Sequence, residues 1–68
     1  MNLSYLSKKQ VEEYKERINL LDDETVIFDM LVKNYSIVKI ADILKMSTRS
    51  IDRRIRNIKK KMESLEQE

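Results

Sequence analysis

Sixty-eight residues pass without a single glycine or proline. Glycine reverses a chain by accepting positive φ and proline by fixing φ, so here Ser, Asn and Asp must punctuate it instead. The same absence removes the glycine-rich loops that cradle phosphates and the fingerprint that binds dinucleotides. Other chemistry narrows with it. Without cysteine there is no disulfide framework and no thiolate metal site. Without histidine the usual general base and the commonest metal ligand are gone. Carboxylates alone can hold a hard cation, but no spaced Asp/Asn/Gly loop of the calcium type occurs. Ser4, Ser47 and Ser50 read as cap and turn residues, because no base accompanies them as nucleophiles. The expectation is a non-enzyme with no metal and no cofactor.

Length sets the next bound. A chain of this size makes one domain, 1–68, and buries only about 60% of the surface its unfolded form exposes. An apolar fraction of 41% is enough for a small core, and 38% charged residues favour solubility. No apolar run approaches the ~20 residues that span a bilayer, and "MNLSYLSKKQ" lacks the apolar block of a secretory signal. No membrane partner is expected, and a cytoplasmic location is.

Hydrophobic spacing and the polar punctuation predict an all-α chain with helices over about 8–19, 23–33, 37–44 and 48–65. Ser7 and Gln10 form a capping box at the first start, and Val11, Tyr14 and Ile18 share one side of that helix. "LLDD" breaks the pattern and offers Asp22 or Asp23 as the next N-cap. Ile27, Phe28, Leu31 and Val32 form the main apolar face of the second helix. Val26 and Met30 lie on another side, which suits a second neighbour or a partner chain. Asn34, which tolerates the left-handed conformation, is expected to end it. Ser36 caps the third helix, with Ile37, Ile40, Ala41 and Leu44 inward, and Lys45, Met46 and Ser47 form a turn in which Ser47 caps the fourth. In that last helix Ile51, Ile55, Ile58, Met62 and Leu65 recur at spacings of 4, 3, 4 and 3, an apolar stripe four turns long. Tyr5, Tyr14 and Tyr35 are expected at the core edge, and the termini read as loose.

Charge is distributed unevenly. Residues 1–44 hold six bases and eight acids, residues 45–62 eight bases and one acid, and residues 63–68 three acids. The first helix interleaves its signs, as a plain solvated surface does. The fourth packs seven bases and one acid into residues 49–61, a bias that points to an anionic partner. At 100° per residue Arg49, Arg53, Arg56 and Lys60 lie almost opposite the apolar stripe. Arginine is the side chain best matched to guanine O6/N7 and, bidentately, to phosphate. Lys59, Lys60 and Lys61, further along, are placed to meet phosphates. Arg54 lies on the flank beside Ile58, where it touches backbone or covers the core. The helix has no aromatic residue on which single-stranded bases would stack.

"SIVKIADILKMSTRSIDRRI" therefore reads as two short-linked helices with small Ala41 where they cross, Met46 plugging the turn and Ile51 anchoring the second helix. This is a helix-turn-helix pattern, whose second helix enters the DNA major groove. From Leu20 to about Met62 the chain resembles region four of sigma-70 factors and the DNA-binding domains of LuxR-type regulators. The matching places hold Leu20, Ile27 with Phe28, Asn34, Ser36, Ile40 and Ala41 with Leu44, Met46 with Ser47, and Ile51. Lys45 stands where a glycine is common in the turn. A leading helix and a long final helix look more like the sigma arrangement, whereas LuxR-type domains add a separate dimerising helix.

The resemblance implies sequence-specific binding of double-stranded DNA in transcription regulation. It places Thr48, Arg49, Asp52, Arg53 and Arg56 toward the groove, with Lys59 and Lys60 beyond them. Asp52 either accepts from a cytosine amino group or orients Arg49 or Arg56. The alternative is a sigma-like protein-interaction module that docks on RNA polymerase or another regulator; RNA binding through the basic helix is a third reading. The end of the stripe, Met62 and Leu65, packs on the first helix or pairs with a second chain as a homodimer.

Overall fold

The computed structural model describes residues 3–66, in which four helices follow one another and no strand occurs. They are α1 (Lys8–Arg17), α2 (Asp22–Val32), α3 (Ile37–Leu44) and α4 (Thr48–Glu66). The all-α expectation holds, with boundaries that shift by one or two residues. α1 stops two residues early because Ile18 turns to an extended conformation and buries its side chain.

Polar side chains start three of the helices. The Ser7 hydroxyl accepts the Gln10 N–H while Gln10 accepts the Ser7 N–H, completing the capping box. Ser36 accepts the Lys39 N–H, and Ser47 accepts the Ser50 N–H at 3.1 Å. α2 corrects the expectation of an aspartate cap. Its N-cap is Leu21, which has no side-chain acceptor to offer, and Glu24 reaches back to accept the Leu21 N–H at 3.1 Å. Asp22 and Asp23 instead lie in the first turn, where the helix dipole favours negative charge.

Two residues take the place of glycine at helix ends. Asn34 (φ 67°) follows α2 and Lys45 (φ 57°) follows α3. At each end the residue after the left-handed one donates to a carbonyl five residues back, Tyr35 to Met30 and Met46 to Ala41, both at 3.0 Å. This paired closure satisfies carbonyls that would otherwise be orphaned. Tyr35 and Met46 are half-buried against the core as a result.

α4 is the axis of the molecule. Its 19 residues span about 28 Å of a body whose longest dimension is 33 Å. Ile51, Ile55, Ile58 and Met62 are buried along it, and α2 and α3 both pack against that stripe. Ile27, Phe28 and Leu31 meet it from α2, Ile40 and Ala41 from α3. α1 itself buries no residue completely; Val11 and Tyr14 are half-buried on its inner side. The amino-terminal segment is not loose where it is described. Leu3 is fully buried, and its N–H donates to the Leu31 carbonyl at 3.3 Å. Tyr5 departs from the expected core edge and is 73% exposed. Residues 1, 2, 67 and 68 lie outside the described part.

Candidate nucleic-acid interface

The surface of interest begins with the stripe. Once Ile51, Ile55, Ile58 and Met62 face the core, helical geometry obliges residues half a turn away to face outward. Thr48, Arg49, Asp52, Arg53, Arg56, Lys59 and Lys60 are all exposed. Arg49, Asp52, Arg53 and Arg56 come together around one open depression of about 340 Å³. Thr48, Lys59 and Lys60 lie outside that depression, on the same helix.

Ion pairing sorts the seven bases of α4 into two groups. Among the described residues three ion pairs form: Lys15 with Asp29, Arg54 with Asp23, and Lys61 with Glu24. Arg54 and Lys61 stand seven residues apart on one flank of α4, and both turn to the first turn of α2. Arg54 meets Asp23 at 2.8 Å. Arg49, Arg53, Arg56, Lys59 and Lys60 pair with no acid among the described residues.

Lys61 corrects the expectation that it meets phosphate. Its ammonium donates to the Glu24 carboxylate and, at 2.6 Å, to the Asn19 carbonyl. Glu24 is 1% exposed, a charged residue buried among the described residues of the core. Burial pushes its carboxyl up, but the bond from Lys61, the Leu21 N–H and the charges of Lys61 and Arg54 outweigh that and hold it below the ordinary value. A buried carboxylate this well partnered is a structural device, and sequence reading missed it because an acid in a first turn looks like an ordinary dipole partner.

The far end of α4 docks on α1. Tyr14 donates its phenol to the Glu66 carboxylate at 2.6 Å. That bond, with burial and the Glu66 charge behind it, raises the Tyr14 hydroxyl to about 12. Leu65 is half-buried, and with Tyr14, Arg17 and Glu66 it lines a shallow groove between the two helices. The apolar tail thus has an intramolecular place.

Elsewhere the surface offers little chemistry. No three His, Cys, Asp or Glu side chains gather as metal ligands among the described residues. No helix there is long and apolar enough to cross a membrane. α3 leaves Val38 70% exposed and Ile43 45% exposed, while its Lys39 ammonium sits 4.4 Å from the centre of the Tyr35 ring. Comparison with family models, curated proteins and solved structures returned no match.

Proposed function

We propose that this protein binds double-stranded DNA through the outer face of α4 and acts in transcription regulation in the cytoplasm. The observation that carries the reading is the sorting of charge: two bases of α4 are neutralised by α2, and five are left exposed without an acid. Unpaired like charges on one helix repel each other, so a polyanion that neutralises them gains the electrostatic energy that internal acids do not supply. The form of the face supports a duplex over other anions. The apolar stripe is committed to the core, so α4 has no hydrophobic side to insert in a lipid surface. It carries no aromatic side chain for single-stranded bases to stack on. An arginine row along one face of a helix suits the major groove, whose width admits one helix.

Within this reading α3 and α4 act as a helix-turn-helix, and the likeness to sigma region four and LuxR-type domains supports that use of them. Arg49, Arg53 and Arg56 reach base edges or phosphates, Thr48 and Asp52 flank them, and Lys59 and Lys60 hold the backbone further along. The test is a titration of duplex DNA across a salt series. With about five phosphates neutralised, log K falls against log salt with a slope of roughly −4 to −5. Arg53→Ala lowers affinity by about 1–3 kcal/mol if Arg53 makes a bidentate base contact. A salt-insensitive interaction, or one unmoved by joint loss of Arg49, Arg53 and Arg56, counts against the proposal.

A second reading rests on Val38 and Ile43, the apolar side chains that α3 leaves exposed. They suit a protein-interaction module that docks on RNA polymerase or another regulator. Val38→Ser would then abolish a complex that loss of the three arginines leaves intact.

A further inference from the structure

Asp52 is the anomaly of the arginine face. It is the single acid among residues 49–61 of α4, and it shares an open depression with Arg49, Arg53 and Arg56. Arg49 lies three residues before it and Arg56 four after it, the two spacings at which a helix brings side chains together. Even so, Asp52 forms no ion pair with either, or with any described residue; Glu12, Glu13, Glu16, Asp22, Asp42 and Glu63 form none either, and what sets Asp52 apart is its place in a depression lined by three arginines. The carboxylate is exposed, so neither core packing nor a cap accounts for it.

An unpaired carboxylate on a surface that meets a polyanion opposes binding unless it meets a donor. Its oxygens are acceptors only. In the major groove the donors are the amino groups of cytosine and adenine; guanine N7 and O6 and thymine O4 are acceptors and repel it. Adenine sets its N7 acceptor beside its amino group, whereas the cytosine edge presents the amino group without one. The flanking arginines favour guanine, whose two acceptors match the guanidinium fork.

Resting on the duplex-binding reading, we infer that Asp52 is a specificity-determining residue that selects a cytosine at one position beside the guanines taken by its arginine neighbours. It acts mainly by exclusion: a base that presents only acceptors at that position leaves the carboxylate facing negative charge. Asp52 therefore weakens binding to most sequences and spares those with a correctly placed amino group.

Selection from a randomised duplex pool, followed by affinity measurements on the selected and a scrambled duplex, tests this with the full chain and its Asp52→Ala and Asp52→Asn variants. Circular dichroism confirms that each variant keeps its helices. The parent chain is expected to select a site with one cytosine-dominated position and to disfavour other bases there by about tenfold. Asp52→Ala flattens that position and binds the scrambled duplex more tightly. Asp52→Asn moves the preference to adenine, because a carboxamide matches the adenine N6/N7 pair. Four results overturn the inference. Identical selected sites for parent and Asp52→Ala remove the reading role, and weaker binding of Asp52→Ala to all duplexes assigns Asp52 to orienting its arginines. Parent binding that selects no sequence ends the inference while leaving duplex binding in place. A parent chain that binds no duplex at all ends both.

Discussion

Lys45 is where the absence of glycine acts on a single residue. Its φ of 57° places a β-carbon near a carbonyl oxygen, which costs an ordinary residue about 1–2 kcal/mol. Asn34 stands in the same conformation after α2, but asparagine tolerates it better. Lys45→Gly is therefore expected to stabilise the protein by about 1 kcal/mol, seen as a rise in melting temperature of about 4–8 °C for a domain of this size. Asn34→Gly should gain less. Equal melting temperatures for Lys45→Gly and the parent would show that the turn carries no strain. The exposed lysine donates to no described acid, so its removal should not confuse the result.

At the scale of elements, the relation of α4 to α2 governs everything displayed outside. Arg54 and Lys61 meet the first turn of α2 from one flank of α4, consistent with the rotation that the buried stripe imposes. The two contacts differ in strength. The Arg54–Asp23 pair is about a third exposed on both sides and contributes at most about 1 kcal/mol. The Lys61 pair has a buried carboxylate at its other end. Lys61→Met strands that carboxylate and should destabilise the fold by about 1–3 kcal/mol, less than for a fully buried pair because the Lys61 side chain is 32% exposed. Acid should report the same contact. The Glu24 carboxyl is held below its ordinary 4.5 in the folded chain, so its stabilisation is present above that pH and is lost as pH falls through the lower folded value. Denaturant melts between about pH 5 and pH 2 should show this loss in the parent and a flatter dependence in Glu24→Gln. In Lys61→Met the acid dependence should weaken, since burial still pushes the carboxyl up and only the Leu21 N–H and the Arg54 charge remain to hold it down. Matching acid slopes for parent and Glu24→Gln would refute the assignment.

For the whole molecule, the question is what remains for a partner chain. The α4 stripe through Met62 is buried within the chain, and Leu65 is half-buried beside Tyr14. The apolar side chains left for a homodimer are scattered: Leu21 before α2, Val26 on α2, and Val38 and Ile43 on α3. Scattered side chains of this kind seldom hold a stable interface, which needs about 1,200–2,000 Å². We expect a single 8.2 kDa species in sedimentation at micromolar concentration, and hence one half-site covered per molecule. A species of twice that mass would overturn this and restore the two-fold symmetry that palindromic sites match.

What could be read from the residues alone was whatever a helix decides locally. The caps at Ser7, Ser36 and Ser47, the closure at Asn34, the stripe from Ile51 to Leu65 and the arginine row opposite it all follow from spacings of three and four residues, because one turn of helix relates only near neighbours. Contacts between distant segments were not legible that way. Nothing near Leu3 announces that it will lie under Leu31, and nothing near Glu24 announces a lysine 37 residues away. Where Leu21 stands as the cap in place of the aspartates, Glu24 accepts both the Leu21 N–H and that lysine. The same packing decided which bases of α4 are free. Helical spacing already set Arg54 on the flank and Arg53 and Lys60 opposite the stripe; that α2 brings acids to that flank, so that Arg54 and Lys61 are neutralised and Arg53 and Lys60 are not, only the packing decided.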